Sequence, residues 1–380
     1  MSRSFDPGII DEQERPGMPR TSPTVRARSV VAALPRYTRA AGLSDVRWRA
    51  SSNESTVPPS PHILAAIRDA AERGNLYPSL IGEDLVADIG ARLEVDPAQI
   101  VVGGGSISLL QNVLAAYTGH GAKVVHAWRS YEAYPILIGV VGATAVPVPL
   151  DENFGHDPAA MLAAIDDDTR AMILCNPNNP TGTELSPQQL EDLIAGVPEH
   201  VLVILDEAYQ EFSRYPSRTA SLRARFPNLV VLRTFSKAYG LAGLRAGYLL
   251  AHPDIADDVR AASPPFGLSR VAEAAARAAL SDRAHTDHIV EVVREGRAHL
   301  VEGLRRRGIH VPHSGANFVW LPVGERTAEL EAACVARGVS VRAFDREGVR
   351  VTVGERAAQD AVLTAVDDLG AGTRQDGLTA

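Results

Sequence analysis

The chain has 380 residues, 45% of them apolar and 5% aromatic, with a formal net charge of −8; this is enough for one large domain and a smaller one, each with its own core. The acidic balance and the lack of a dense basic run argue against nucleic acid as a partner. No stretch approaches the ~20 uninterrupted apolar residues of a membrane span, and the N-terminus lacks the apolar centre of a signal peptide, so a cytoplasmic protein is expected.

Residues 1–29 mix Pro7, Pro16, Pro19 and Pro23 with opposed charges and show no apolar period, which predicts a disordered or flexible arm. Val30–Leu34 is a short apolar piece, followed by Pro35-Arg36-Tyr37. The proline-rich run from Asn53 to Pro61 is a loop, and Ser60-Pro61 starts a helix over 62–73 whose Ile63, Leu64 and Ile67 form one face; Gly74 stops it. Tyr77-Pro78 reads as a turn. Ile100-Val101-Val102 is a buried strand, turned by Gly103-Gly104-Gly105-Ser106-Ile107-Ser108 into a helix over 109–117. Three glycines let the backbone approach an anion, and the first N–H groups of the helix point at it. Such a turn is often no more than a tight connection. Lys123–Trp128 is the next strand and ends in Arg129-Ser130-Tyr131-Glu132-Ala133-Tyr134.

Strands at 145–150, 171–175, 201–205 and 229–232 then alternate with helices near 158–165 and 187–195. This alternation predicts an open, mostly parallel sheet with helices on both faces and ligands at the strand C-terminal ends. The last of these strands opens into Arg233-Thr234-Phe235-Ser236-Lys237-Ala238-Tyr239-Gly240-Leu241-Ala242-Gly243-Leu244-Arg245. A lysine at a strand end is usually on the surface. Lys237 instead lies between an apolar strand and a Gly-rich turn, where loss of water lowers its pKa and makes it nucleophilic towards an aldehyde. The Ser236 hydroxyl and the planar fork of Arg245 suit a phosphate. Beyond a Pro264-Pro265-Phe266-Gly267 loop come long Ala- and Arg-rich helices over 269–304, stopped at Arg307-Gly308. Strands at 317–321, 339–342 and 348–353, with a helix over 328–337, predict a small separate sheet. Cys175 and Cys334 read as small buried hydrophobes, and the 11 scattered histidines show no metal-ligand spacing, so neither a disulfide nor a metal is expected.

Asn176-Pro177-Asn178-Asn179-Pro180-Thr181-Gly182, Asp206-Glu207-Ala208-Tyr209 and the Ser236-Lys237 stretch stand at three strand ends in this order. Together they resemble the class I/II aminotransferases of fold type I, which carry pyridoxal 5′-phosphate (PLP), and the resemblance covers about residues 30–365. It implies an α/β fold: a large PLP-binding domain over 61–265, its mostly parallel sheet sandwiched by helices, and a small α/β domain over 266–380 joined by the segment 30–60. It implies that Lys237 bonds the cofactor aldehyde, that Asp206 keeps the pyridine nitrogen protonated, and that Asn179 and Tyr209 donate to the phenolic oxygen. The phosphate falls to Ser236, Arg245, the turn at Gly105, Ser106 and Ile107, and Tyr77 of a neighbouring subunit, hence a homodimer with shared active sites. Of the aromatics after the strand Lys123–Trp128, Tyr131 is assigned the stack on the ring and Tyr134 the substrate side, with plain core packing as the alternative for either. Arg350, helped by Arg342, would take the substrate's anion, and Asn53, Tyr37 and Asn179 would complete the substrate pocket.

The wording of 175–181, 232–245 and 316–322 is similar to actinobacterial histidinol-phosphate or aromatic (phenylalanine) aminotransferases. Relatives acting on histidinol phosphate tend to read Asn-Glu-Asn-Pro where this chain has Asn53-Glu54-Ser55-Thr56. The expectation is therefore transfer of an amino group between an aromatic amino acid and a 2-oxo acid such as 2-oxoglutarate. A histidinol-phosphate aminotransferase is the alternative, and an amino acid phosphate decarboxylase of the same fold a more remote one. A PLP-binding regulator fused to a DNA-binding domain would need a basic helix-turn-helix ahead of the motifs, where about 29 residues stand.

Overall fold

The computed structural model describes residues 25–34 and 46–375, with side chains as far as Leu369. Residues 1–24 of the expected arm and Tyr37 lie outside the described residues. In chain order the first elements are α1 (Ser29–Ala32), β1 (Trp48–Arg49), α2 (Pro61–Ala71), α3 (Glu83–Leu93), β2 (Ile100–Gly103), α4 (Ser106–Tyr117), β3 (Lys123–Trp128), α5 (Ala133–Val141) and β4 (Thr144–Pro149). They continue with α6 (Pro158–Ala163), β5 (Thr169–Cys175), α7 (Pro187–Gly196), β6 (Leu202–Asp206), α8 (Thr219–Arg225), β7 (Leu229–Thr234) and β8 (Gly247–Leu250). The rest is α9 (Pro253–Ala262), α10 (Arg270–Ser281), α11 (Arg283–Arg306), β9 (Phe318–Leu321), α12 (Thr327–Ala336), β10 (Val339–Ser340), β11 (Arg342–Phe344), β12 (Gly348–Thr352) and α13 (Arg356–Gln375).

The seven-stranded sheet has the order β2-β8-β7-β6-β5-β3-β4. Strands β7, β6, β5, β3 and β4 are parallel, whereas β8 runs antiparallel to both its neighbours, β2 and β7. The central strands are continuous apolar runs because both faces are covered. Alternate residues serve opposite cores: Met172, Leu174, Val203, Leu205 and Val231 face one with α2, α7 and α10. Ala171, Ile173, Cys175, Ile204, Val230 and Leu232 face the other with α4, α5 and α9. Helix starts follow local chemistry. Ser60 caps α2 ahead of Pro61, and Ser186 with Gln189 closes a capping box on α7.

A third core joins α11, α12 and α13 to the antiparallel sheet β11-β12-β9. The expected strand over 339–342 is two strands. Val339-Ser340 pairs in parallel with Trp48-Arg49, and Arg342–Phe344 turns into the other sheet to pair with β12. Each half meets a different partner, which a continuous Val-Ser-Val-Arg pattern does not reveal. The β1–β10 pairing, with Thr352 N–H donating to Ala50 O, ties the segment before the large domain to the C-terminal sheet. The long helical stretch after Ser269 breaks at Asp282, whose carboxylate accepts from His285 N–H and from the Ser60 hydroxyl. Helix α4 starts at Ser106, three residues ahead of expectation, so the Ser106 and Ile107 amides belong to its first turn.

Candidate active site

The ends of β2, β3, β5, β6 and β7 meet the small sheet around a cavity of about 250 Å³. Lys237 projects into it three residues beyond β7, with its amine donating to Asn53 O at 3.1 Å and Ser52 O at 3.4 Å. Burial, and next the charge of Arg350, lower its pKa from 10.5 to about 7. Near neutral pH the amine is therefore partly uncharged and nucleophilic.

Asp206 closes β6 and is buried. One carboxylate oxygen accepts from Ala208 N–H at 3.1 Å and the other from the Tyr134 hydroxyl at 2.7 Å. Burial holds its pKa above the ordinary carboxylate value, and these two donors oppose that rise. A buried carboxylate wants a cationic partner or a donor on its cavity side. Tyr209, on the turn after Asp206, receives a hydrogen bond from Asn53 Nδ2 at 2.9 Å and packs edge-on against Phe318. Asn179 reaches in from the loop after β5 and accepts from Arg350 Nη1 at 2.5 Å.

At the other end of the cavity Arg245 Nη1 donates to Ser236 Oγ at 3.1 Å. Gly105 holds φ +95°, and a Cβ there would lie 2.6 Å from Arg245 Nη2. A Cβ on Gly247 would lie 2.6 Å from Ser106 N and 2.8 Å from the Gly105 carbonyl carbon. Gly247 is paired with Gly103 on one side and Thr234 on the other, so β8 draws the Gly105 turn against the Ser236 loop. The outcome is a cradle of Gly105, Ser106, Ile107, Ser236 and Arg245: a helix N-terminus, a hydroxyl and a guanidinium suited to a phosphate.

Tyr131 borders the cavity. Tyr134 does not, and its expected place on the substrate side is corrected: it is fully buried, edge-on to Tyr131 at 5.6 Å, and lies behind Asp206 as a hydrogen-bond donor. It stands in the first turn of α5, and the order β6-β5-β3 brings that turn towards the end of β6. Arg350 is buried on β12 and also donates to Ser51 O. Arg342 borders the cavity, but its guanidinium is joined to Glu132 through contacts of 2.8, 2.9 and 3.1 Å, so the expected helper of Arg350 is already in a bidentate ion pair. Tyr77 is 78% exposed, stacked on Phe266 at 4.8 Å, and does not border its own chain's cavity.

Sequence reasoning missed Glu132, Ser52 and Thr352. The Thr352 hydroxyl donates to Asn53 Oδ1 and accepts from Asn53 N–H, fixing the residue whose carbonyl meets Lys237. Its signal was present: two residues from Arg350 on a strand, it shares that residue's face. No local pattern marks Glu132.

A family profile described as aminotransferase class I and II matches residues 50–366. The chain is 45% identical over 360 residues to an aromatic amino acid aminotransferase of Streptomyces coelicolor, covering 92% of this chain and 99% of that one. It is 44% identical over 356 residues to the protein of that name from Streptomyces avermitilis, covering 92% and 98%. Among solved structures, a histidinol-phosphate aminotransferase from Sinorhizobium meliloti in complex with pyridoxal-5′-phosphate superposes with a TM-score of 0.84 at 29% identity, covering 92% of this chain and 99% of that one.

Proposed function

For this chain, which belongs to the class I and II aminotransferases, we propose transfer of an amino group between an aromatic amino acid and a 2-oxo acid such as 2-oxoglutarate, with PLP as cofactor. When bound, PLP supplies the electron sink that stabilises a carbanion at the amino acid's Cα. The residues present fit that group. The observation that carries the reading is a lysine amine with its pKa lowered to about 7, set in one cavity with a buried carboxylate and an anion cradle that a Cβ would fill.

Lys237 would hold the cofactor aldehyde, and its amine is the base placed to take and return the proton at the substrate's Cα. Asp206, kept in place by Tyr134 and the Ala208 amide, holds the proton on the pyridine nitrogen. Asn179 and Tyr209 would hold the phenolic oxygen, Tyr131 would pack on the ring, and the cradle from Gly105 to Arg245 would take the phosphate. Arg350 receives the substrate carboxylate, with Asn179 and Asn53 beside it. Support for an aromatic side chain comes from relatives of that name at 44–45% identity over 92% of the chain and from Ser55-Thr56 in place of Asn-Pro. The likeness to a histidinol-phosphate aminotransferase favours the second reading, a phosphate-bearing substrate.

A homodimer is part of the proposal. Leu76, Tyr77, Leu80, Ile81 and Phe266 are exposed large apolar side chains close in sequence or stacked on one another, the kind of surface a second copy covers. From there the Tyr77 hydroxyl would reach the partner's cradle. Two assays test these points. With glutamate as donor, kcat/KM for phenylpyruvate is expected to exceed that for imidazole acetol phosphate; the reverse order would replace the aromatic substrate by histidinol phosphate. Light scattering should give twice the chain mass, and a fully active monomer would defeat the shared site.

A further inference from the structure

Two loops deliver groups to the cofactor's place: residues 129–132, after β3, carry Tyr131, and residues 176–183, after β5, carry Asn179. The ladder between β3 and β5 ends at His126 and Ile173, short of both loops. Asn178 takes up the connection. It is fully buried; its Oδ1 accepts from the Ser130 hydroxyl at 2.8 Å, and its Nδ2 donates to Arg129 O at 3.1 Å and to Thr181 Oγ1 at 2.9 Å. A carbonyl only accepts, so the bond to Arg129 O fixes which way round the amide lies. The backbone is held as well, with Asn178 N–H donating to Thr183 O at 2.9 Å and Gly182 N–H donating to Asn178 O at 2.7 Å. Asn178 thus ties the residues just before Tyr131 to the residue just before Asn179, and does not itself border the cavity. Asn179 Oδ1 faces Arg350 Nη1 at 2.5 Å, so its Nδ2 is the amide atom that can donate to an anionic oxygen. A second tie on the Tyr131 loop, Arg129 to Glu347, has the Glu347 side chain 39% exposed and screened by water. The Asn178 bonds lie in the interior, where a polar network is rigid when its members are satisfied.

We propose that Asn178 is a positioning residue: its side-chain amide sets the Tyr131 loop against the Asn179 loop, and so places the aromatic for the ring face and the donor for the phenolic oxygen as one unit. The proposal rests on the PLP reading above and adds to it a residue that touches neither cofactor nor substrate. A residue that merely closed its own loop would need the bonds to Thr181, Gly182 and Thr183. It would have no use for those to Ser130 and Arg129, which cross to the other loop.

The test follows the visible absorbance of the PLP-loaded protein against pH. That absorbance changes as a proton leaves the bound cofactor, and a donor to the ionised phenolic oxygen holds the midpoint down. Asn178→Ala should displace the Asn179 donor and raise the midpoint by about one pH unit, with the PLP dissociation constant rising about tenfold. Ser130→Ala breaks the same link from the other loop and should raise the midpoint by about half a unit. The double variant should shift it by less than the sum, because both changes cut one connection. Both substitutions are neutral, and the charged groups of the cavity wall, Glu54, Asp206, Lys237, Arg245, Arg342 and Arg350, stay the same throughout, so the shift reads placement. A merely structural role would lower the melting temperature and leave the midpoint alone. An unchanged midpoint in either single variant, or shifts that add in full, overturns the proposal; should Asn178→Ala fail to load PLP, Ser130→Ala alone decides. A wild-type protein with no such absorbance would defeat the PLP reading itself, so the two can fail separately.

Discussion

Tyr134→Phe separates the position found for this residue from the substrate-facing one that its sequence neighbourhood suggests. The hydroxyl donates to Asp206 at 2.7 Å from a fully buried ring, so the variant leaves a buried carboxylate oxygen short of a donor with little change in volume. A hydrogen bond to a charged group contributes ~1.5–3 kcal/mol. Urea unfolding of the cofactor-free protein should show that loss above the folded-state pKa of Asp206. Burial already raises that pKa and Tyr134 lowers it, so deleting the donor raises it further. The folded state then favours the protonated carboxyl, and the stability deficit should fade as pH falls and Asp206 becomes neutral in both proteins. In the loaded enzyme kcat should fall about tenfold or more, each ~1.4 kcal/mol being one decade, with KM for the 2-oxo acid little changed. An altered KM with unchanged stability at alkaline pH would return Tyr134 to the substrate side and refute the reasoning.

Lys237→Ala should abolish turnover and the borohydride-reducible bond to PLP, whereas a reducible bond at another lysine would displace the central assignment. Because the Lys237 pKa is lowered to about 7, the amine is neutral above that pH. Capture of PLP by the cofactor-free protein, followed by absorbance, should therefore rise about tenfold per pH unit below 7 and level off above it; a rate independent of pH would count against the assignment. Gly247→Ala places a Cβ within 2.6–2.9 Å of Ser106 N, the Gly105 carbonyl carbon and Arg233 O, all backbone atoms. Overpacking of ~1–3 kcal/mol should lower the melting temperature and weaken PLP binding, both measurable by thermal melts with and without cofactor. Gly243→Ala, with nothing within 4 Å of its Cβ, is the control, and equal effects from the two would refute the packing argument.

Much of the molecule can be read from its sequence where one strand, one turn and one helix carry the signal. The apolar runs at 171–175, 201–205 and 229–232 are buried on both faces, so composition alone marks them as central strands. The Gly103–Ser108 turn and the Ser236-Lys237-to-Arg245 stretch show their chemistry through glycine and charge. What stays hidden depends on strand order. Whether Tyr131 or Tyr134 faces the cavity follows from how the first turn of α5 meets the end of β6. The union of Glu132 with Arg342 joins residues 210 positions apart, one at the start of α5 and the other on β11, and the switch of sheet at Val341 depends on where Trp48 lies. Helices α3 and α9 fill space beside β2 and carry no motif, and they are legible only once the sheet is known.

The backward run of β8 also sets a timetable for synthesis. Ile100 finds its partner in Leu250, and no other strand pairs with β2 among the described residues. At ~5–20 residues per second the ribosome needs about 8–30 s to deliver that partner. Until then the edge amides of Ile100–Gly103 wait unpaired, a liability in a growing chain. A nascent polypeptide that ends before Gly247 already carries Asp206, Lys237 and Arg245 but has no strand to hold the Gly105 turn beside Ser236. The cradle is thus completed late in the life of the chain, after most of the sheet is built, and a phosphate taken up there would arrive too late to template the sheet.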